Sequence, residues 1–266
     1  MHTTSLPPFS HHRYRAFMTY VRWYMRRHFH ALRLLEGDRP SLDGESVTIY
    51  TNHPGWWDPL IFLSVADVLY PKRLNYGPID SASLGKYRFL ECIGFLGIEP
   101  GSWKGSAQFL RYAQAASLRD DVIFWITSQG MFVDPRQRPV HIRPGVSHAA
   151  AKIQRGIIIP MAVEYPFWTE RFPEALVAFG QPIRPAEFCN RSPQEWTRVL
   201  STALQETQDK LAAAACRRNP SEFSTLFSGR VGVGGFYDLE RWIRARIRGE
   251  SFDPAHVTLS VRDNPP

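Results

Sequence analysis

Short, continuously apolar runs constrain the fold of this chain more than any other feature of its sequence. Val47–Thr51, Val122–Thr127 and Gly156–Glu164 are rich in β-branched or aromatic residues, and each is typical of a buried strand. Uninterrupted runs of this kind are expected in a parallel sheet that is covered on both faces. Because helical patterns fall between them, we predict an α/β domain with a mixed, mostly parallel central sheet flanked by helices.

The spacing of apolar residues predicts the helices that would cover this sheet. The predicted helices that lie between and after the strands are Leu60–Tyr70, Ser106–Ser117, Val146–Gln154 and Ser192–Arg217. The last of these begins with Ser192-Pro-Gln-Glu195, which has the form of a capping box. A further strand is predicted at Ala175–Phe179.

An arginine-rich amphipathic pattern is present at each end of the chain. Apolar residues recur at helical spacing from Tyr14 to Leu35, opposite a face that carries arginines. A second such helix is predicted at Phe236–Arg248, after a glycine-rich hinge. The three expected units are an N-terminal basic helical segment (residues 1–40), an α/β domain (41–228), and a C-terminal basic helix and tail (229–266).

Composition narrows the class of protein. Hydrophobic residues make up 44% of the 266 residues, which is enough for a packed core. The three cysteines form no C-x-x-C pair, so neither a disulfide framework nor a zinc site is expected, and a reducing compartment is indicated. No stretch reaches the about 18 uninterrupted apolar residues of a membrane-spanning helix. The net charge of +7 implies an anionic partner, either nucleic acid or a bilayer surface.

His53 and Asp58 are the residues with the clearest chemical potential. They lie five positions apart in a turn that follows the Val47–Thr51 strand. A carboxylate bonded to one imidazole nitrogen fixes the tautomer, so that the other nitrogen can take a proton from a hydroxyl. The spacing alone is weak evidence, because an aspartate before Pro59-Leu60 could equally cap the next helix.

Five blocks in order give this pair a context. They are Asn52–Pro59, Gly94–Glu99, Ile126–Gly130, Arg143–Gly145 and Ile157–Ala162. Together they resemble the glycerolipid acyltransferase family, the lysophosphatidic acid acyltransferase-like enzymes, whose first block reads N-H-x-x-x-x-D after a strand. The resemblance covers about residues 45 to 180, and five ordered blocks are more specific than one.

The resemblance implies direct acyl transfer without a covalent intermediate. His53, oriented by Asp58, would deprotonate a hydroxyl that attacks the thioester of acyl-CoA or acyl carrier protein, which is a co-substrate rather than a bound cofactor. Asn52, Gln129 and Gly130 are expected to contact the substrates, with backbone N–H groups near Gly130 as oxyanion donors. Neither a metal nor a serine or cysteine nucleophile is implied.

The chain departs from the family at positions that affect the acceptor. Gln129 stands where the family has glutamate, and Phe132 where it has an arginine that is understood to hold the acceptor's phosphate. Lys104, Arg136 and Arg138 are near enough in sequence to substitute for that arginine. We therefore expect a sugar hydroxyl on a glycosylated lipid or carotenoid as acceptor, rather than lysophosphatidic acid.

The resemblance also bears on partner and location. A lipid substrate favours an anionic membrane surface over nucleic acid as the partner of the basic segments, and no nucleic-acid-binding motif occurs in the middle of the chain. The predicted location is peripheral, on the cytoplasmic face of a membrane. A catalytically inactive relative that binds membranes or lipids remains the alternative, because of Gln129.

Overall fold

An eight-stranded sheet forms the centre of the protein. The computed structural model describes residues 5–42, 44–188, 191–232 and 235–249. The strands are Ala31–Leu35 (β1), Val47–Thr51 (β2), Leu74–Asp80 (β3), Phe95–Ile98 (β4), Val122–Thr127 (β5), Ile157–Glu164 (β6), Glu174–Phe179 (β7) and Phe223–Ser228 (β8). Their order is β4-β3-β5-β2-β6-β7-β1-β8. Neighbours are parallel except β6–β7 and β1–β8, so the predicted mixed, mostly parallel α/β sheet is confirmed.

Helices cover both faces of this sheet. They are His11–His28 (α1), Asp58–Leu69 (α2), Ser81–Lys86 (α3), Trp103–Ser117 (α4), Pro144–Ala150 (α5), Pro193–Arg217 (α6) and Gly235–Arg248 (α7), with 3-10 turns at Arg88–Ile93, Pro185–Phe188 and Pro220–Glu222. Buried side chains of α1 and α2 share one core with one face of the sheet. Those of α4, α5 and α6 pack on the opposite face. The capping box at the start of α6 is formed by Ser192 and Glu195.

The central strands lie where their apolar runs predict them. All five residues of β2 are buried, and so are all six of β7. In β5 and β6 the terminal residues Thr127 and Glu164 are the only ones that are not fully buried. A strand that is covered on both faces is mostly apolar, with few polar residues such as Thr48, Thr51 and Glu174, and this is why these runs could be recognised in the sequence.

The N-terminal segment differs from the continuous helix that its spacing predicts. α1 ends at His28, and Ala31–Leu35 forms β1, which pairs with β7 and β8. Both faces of β1 are buried, so its residues do not alternate between apolar and polar. A short apolar run of this kind is equally compatible with the last turns of a helix. Pairing with distant strands decides between the two, and the local sequence does not contain that information.

Two further strands escaped prediction for a different reason. β3 contains Gly77 and Pro78, which lower its strand propensity, and β8 is an edge strand with mostly half-exposed or exposed residues. At the other end of the chain, α7 occupies the segment where a helix is predicted. Within the described residues, no helix is both long and apolar enough to cross a bilayer.

The parallel arrangement of β2, β5 and β6 determines where a site can form. These three neighbours run in the same direction, so Thr51, Thr127 and Glu164 end at one edge of the sheet. The first ordered block follows β2, the third spans the end of β5 and the loop after it, and the fifth lies within β6. Open α/β sheets bind ligands at this carboxyl edge, because the loops there converge.

We predict that the buried face of α1 stabilises the domain. Met25 is fully buried against the core, so Met25→Ala should lower the free energy of unfolding by about 2–5 kcal/mol in urea titrations. Trp23 lies on the same helix but is 55% exposed, and Trp23→Ala should change it by about 0.5 kcal/mol or less. Equal losses in the two variants would contradict this packing.

Candidate active site

His53 and Asp58 form a directly bonded pair at the carboxyl edge of the sheet. Nδ1 of His53 lies 2.5 Å from Oδ2 of Asp58. The Asp58 side chain has no solvent exposure, whereas that of His53 is 16% exposed. Among the described residues no hydrogen bond reaches Nε2 of His53. The imidazole therefore has one nitrogen held by a buried carboxylate and the other available to a ligand.

The carboxylate of Asp58 is used for this pair and not to cap α2. Trp57 occupies the N-cap position and provides no side-chain cap. Besides His53, the carboxylate oxygens of Asp58 accept hydrogen bonds from the backbone N–H of Gly55 at 3.3 Å and from the hydroxyl of Tyr165. The position of Asp58 in the first turn of α2 also favours a negative charge.

Asn52 connects the segment that carries His53 and Asp58 (residues 52–58, the catalytic segment of the proposal below) to the neighbouring strand. Its Nδ2 donates to the carbonyl oxygen of Val163 at 2.9 Å, and its Oδ1 accepts from the N–H of Val163 at 2.8 Å. The residue is fully buried. The predicted contact with substrate is therefore replaced by a scaffold role, since the two hydrogen-bonding atoms of the amide are already used by the protein.

The loop after β5 holds the backbone of His53 on both sides. Oε1 of Gln129 accepts from the N–H of His53 at 2.8 Å, and the N–H of Val133 donates to the carbonyl oxygen of His53 at 3.0 Å. Gln129 thus lies in the site, but its amide oxygen positions the histidine. An amide serves here as well as a carboxylate, because the bond requires only an acceptor.

Gly130 lies at the bend of this loop and has a left-handed conformation, with φ of +62°. A Cβ atom there would lie 2.6 Å from Nε of Arg143, so only glycine permits this approach. The N–H of Gly130 donates to Thr127 at 3.3 Å, whereas that of Met131 has no acceptor among the described residues. Met131 is therefore a better candidate than Gly130 for an oxyanion donor.

The cations predicted to hold an acceptor phosphate are not gathered at the pair. Arg136 is exposed and forms an ion pair with Asp134 at 2.6 Å, and Arg138 is paired with Asp209 at 2.6 Å. Lys104 is exposed at the start of α4, with Nζ 5.9 Å from the ring of Trp103. The side chain of Arg143 lies beside Gly130 and has no hydrogen bond or ion pair among the described residues.

An aromatic side chain packs against His53, and further exposed apolar residues are its neighbours in the chain and in the loop after β5. The ring of Phe132 meets the imidazole edge-on, with 4.7 Å between centroids. Met131 and Trp56 are also largely exposed, and Trp56 stacks on Trp57 at 4.3 Å. Phe132 therefore takes up the space beside His53 where the family resemblance leads one to expect a phosphate-binding arginine.

A small apolar cleft lies between α2 and the sheet, next to the segment that carries the pair. The residues that line it come from the start of α2, from β3, from the start of β4 and from the end of β5: Pro59, Phe62, Leu63, Asn75, Tyr76, Gly77, Pro78, Ile93, Gly94, Phe95, Trp125 and Thr127. Pro59 follows Asp58 directly, and Thr127 comes two residues before Gln129. The cleft thus lies between α2 and the sheet, and two of its lining residues are close in sequence to Asp58 and Gln129.

Glu164 is a half-buried acid close to this site. It ends β6, and its Oε1 has no hydrogen-bond partner among the described residues. Burial raises the pKa of Glu164 to about 7, against the smaller opposing effects of Arg138 and Arg136. Folding therefore favours the protonated form of this side chain.

The sequence identified the pair but not all of its surroundings. Tyr165, Arg143 and the apolar cleft were not predicted as parts of the site, because they come from segments far apart in the chain. Tyr165, three residues after the fifth block, was the one local signal, and it becomes informative only when β6 is placed beside β2. Among the described residues no cluster of three or more potential metal ligands occurs.

Comparison with known proteins adds no family assignment. No protein-family model matches the chain, and no curated protein matches it significantly. The geometry of the site therefore carries the functional argument.

We predict that Glu164→Gln stabilises the protein at high pH. As the pH rises from the ordinary value of 4.5 to about 7, the unfolded chain releases the proton of Glu164 while the folded chain keeps it, so stability falls across this window. The melting temperature of Glu164→Gln should exceed that of the wild type by a few degrees at about pH 8 and match it at about pH 4.

The exposed Glu91 supplies the matched control, because Glu91→Gln should shift the melting temperature little at either pH. A Glu164→Gln protein that melts no higher than the wild type at about pH 8 would show that this carboxyl group is not held in its protonated form.

Proposed function

We propose that the protein is an acyltransferase that moves a fatty acyl group from a thioester to a hydroxyl of a lipid acceptor. The observation that carries this proposal is the bonded His53–Asp58 pair, with Nε2 of His53 unpartnered and an apolar cleft beside it. A base next to an apolar surface that can receive a hydrocarbon chain is what transfer of a fatty acyl group to a hydroxyl requires. The five ordered sequence blocks support the same chemistry.

The proposed reaction takes place in one transfer. Nε2 of His53 takes the proton of the acceptor hydroxyl as the oxygen attacks the thioester carbonyl carbon. Asp58 stabilises the imidazolium that forms. The tetrahedral intermediate then collapses, its C–S bond breaks, and the sulfur leaves with the proton that His53 returns. The developing oxyanion would be met by backbone N–H groups of the 130–132 loop, among which the N–H of Met131 has no acceptor among the described residues.

The cleft offers a place for the acyl chain of the donor, acyl-CoA or acyl carrier protein. Its walls are mostly hydrocarbon and aromatic surface. The side-chain amide of Asn75 accepts from Nε1 of Trp125 at 3.0 Å and donates to the hydroxyl of Tyr14 at 3.1 Å. The side-chain amide of Asn75 is therefore paired within the protein, and an apolar ligand would not deprive it of these partners.

The surroundings of His53 favour an acceptor without a phosphate close to its reactive hydroxyl. Phe132 lies against the imidazole, and both Arg136 and Arg138 are held by aspartates. The proposed acceptor is a sugar hydroxyl of a glycosylated lipid or carotenoid. If the purified protein acylates lysophosphatidic acid at least as fast as any glycolipid, this acceptor class is excluded.

We propose further that the protein works as a peripheral protein on the cytoplasmic face of an anionic membrane. The predicted apolar face of α1 is not available for this contact, because Met18, Val21 and Met25 are buried in the core. A neighbouring face carries Tyr20 and Trp23, which are about half exposed.

This face continues to the catalytic segment. The ring of Tyr20 stacks on that of Tyr24 at 5.5 Å, and Tyr24 lies 6.4 Å from Trp56, which sits between His53 and Asp58 in the chain. The guanidinium of Arg27 lies 5.2 Å from the ring centroid of Trp23. Aromatic side chains with adjacent arginines are typical of surfaces that sit at the headgroup level of an anionic bilayer.

A catalytically inactive, lipid-binding relative is the rival to this proposal. It would show the same membrane contact and the same apolar cleft, but it would have no use for a solvent-accessible base held by a buried carboxylate. A measurement of acceptor-dependent thioester turnover distinguishes the acyltransferase from the inactive relative.

We predict acceptor-dependent consumption of an acyl thioester by the wild type, followed as release of free thiol with a crude glycolipid extract as acceptor. His53→Ala should lower the rate by about 10²–10⁴-fold, which is the usual contribution of a general base. His12→Ala, at an exposed position of α1, is the control and should leave the rate unchanged. Equal rates for His53→Ala and the wild type would exclude His53 as the base.

We predict that the combined Tyr20→Ala and Trp23→Ala variant binds vesicles of anionic phospholipid about tenfold or more weakly than the wild type, because two aromatic side chains no longer leave water. Leu118→Ala is the matched control, since Leu118 is exposed after α4 at the opposite edge of the sheet. Added salt should weaken wild-type binding through the arginines. Undiminished binding of the double variant in a cosedimentation assay would exclude this face.

A further inference from the structure

The carboxylate of Asp58 has a third partner that the general-base mechanism does not use. Oδ2 accepts from His53 and from the N–H of Gly55, whereas Oδ1 accepts a hydrogen bond from the hydroxyl of Tyr165. Because the Asp58 side chain has no contact with solvent, no water replaces any of these donors. Tyr165 is therefore the only donor to Oδ1 among the described residues.

The position of Tyr165 is itself fixed by its surroundings, so its hydroxyl can hold the carboxylate of Asp58 in one orientation. It directly follows β6, whose Val163 is held by both amide atoms of Asn52. Its ring packs against Phe29 with 5.7 Å between centroids, and a Cβ atom added at Gly55 would lie 3.9 Å from it. The end of β6 is thus joined to the catalytic segment at two points, Asn52–Val163 and Tyr165–Asp58.

The chemistry of a phenol suits this position. Burial, together with the charge of Asp58, raises the pKa of Tyr165 well above its ordinary value, so the hydroxyl keeps its proton and can only donate to the carboxylate. A fixed donor on Oδ1 leaves Oδ2 facing His53 and prevents the carboxylate from rotating. Without it, a buried carboxylate oxygen would be unpaired, and the orientation of the imidazole would be lost with that of Asp58.

We propose that Tyr165 is a positioning residue of this site, which orients the Asp58 carboxylate and through it the base His53. This inference rests on the proposed acyl transfer for its effect on rate, but the geometry that it requires exists with or without turnover. Tyr165 touches neither substrate in this scheme and acts through Asp58 alone.

The test compares two tyrosine-to-phenylalanine variants. Tyr165→Phe keeps the ring that packs on Phe29 and removes only the hydroxyl. We expect kcat of the thioester assay to fall about 10- to 100-fold with KM for the thioester unchanged, as for the loss of one hydrogen bond to a charged group. Tyr50→Phe is the matched control. It removes a fully buried hydroxyl that donates to the carbonyl oxygen of Leu200 at 3.0 Å, away from His53, and should leave kcat unchanged.

A second measurement does not depend on turnover. The proton shared by Nδ1 of His53 and Asp58 should give a far-downfield proton NMR resonance in the wild type, absent in His53→Ala. In Tyr165→Phe this resonance should shift or broaden, and in Tyr50→Phe it should stay in place. Wild-type kcat in Tyr165→Phe, or an unmoved resonance, would overturn the inference while leaving the acyltransferase proposal intact. If the wild type shows no turnover but the resonance shifts or broadens in Tyr165→Phe, the proposed function is overturned and the positioning by Tyr165 is supported.

Discussion

A carboxylate without solvent contact stands at the centre of this structure, and its burial must be compensated. Moving an isolated ionised carboxylate out of water costs several kcal/mol or more, and only hydrogen bonds and an adjacent basic group offset this cost. Asp58 obtains them from His53, Gly55 and Tyr165, at the first turn of α2. The same bonds that make Asp58 tolerable in the interior hold the imidazole in one orientation, so stability and function share one set of contacts.

The sheet supplies the geometry for these contacts. β2 lies between β5 and β6 and is parallel to both, so the segments after the three strands meet at one edge. The loop after β5 contributes Gln129 and Val133, which hold the backbone of His53. The end of β6 contributes Val163, and the residue after the strand is Tyr165. Each neighbour of β2 thus contributes a separate constraint on a segment that begins with Asn52. A pair that is five residues apart in a glycine-containing turn could not be held this closely by local structure alone.

Some strands, the His53–Asp58 pair and one helix cap could be predicted from the sequence because each leaves a local pattern. β2, β5 and β6 are continuously apolar because they are covered on both faces, and the His53–Asp58 spacing and the capping box of α6 are short-range patterns. β1 was predicted as part of a helix, since its identity depends on pairing with β7 and β8. The role of Asn52 and the approach of Tyr165 and Phe132 also depend on contacts between distant segments, which no spacing in one sequence encodes.

The central claim is that a negatively charged Asp58 keeps His53 in the tautomer that can accept a proton. Asp58→Asn tests it most directly, because the amide preserves size but can donate to Nδ1 and so place the imidazole proton on Nε2. The account predicts a folded protein, by circular dichroism, whose kcat for acceptor-dependent thioester consumption is lower by about a hundredfold or more. A folded Asp58→Asn protein with the kcat of the wild type would contradict it.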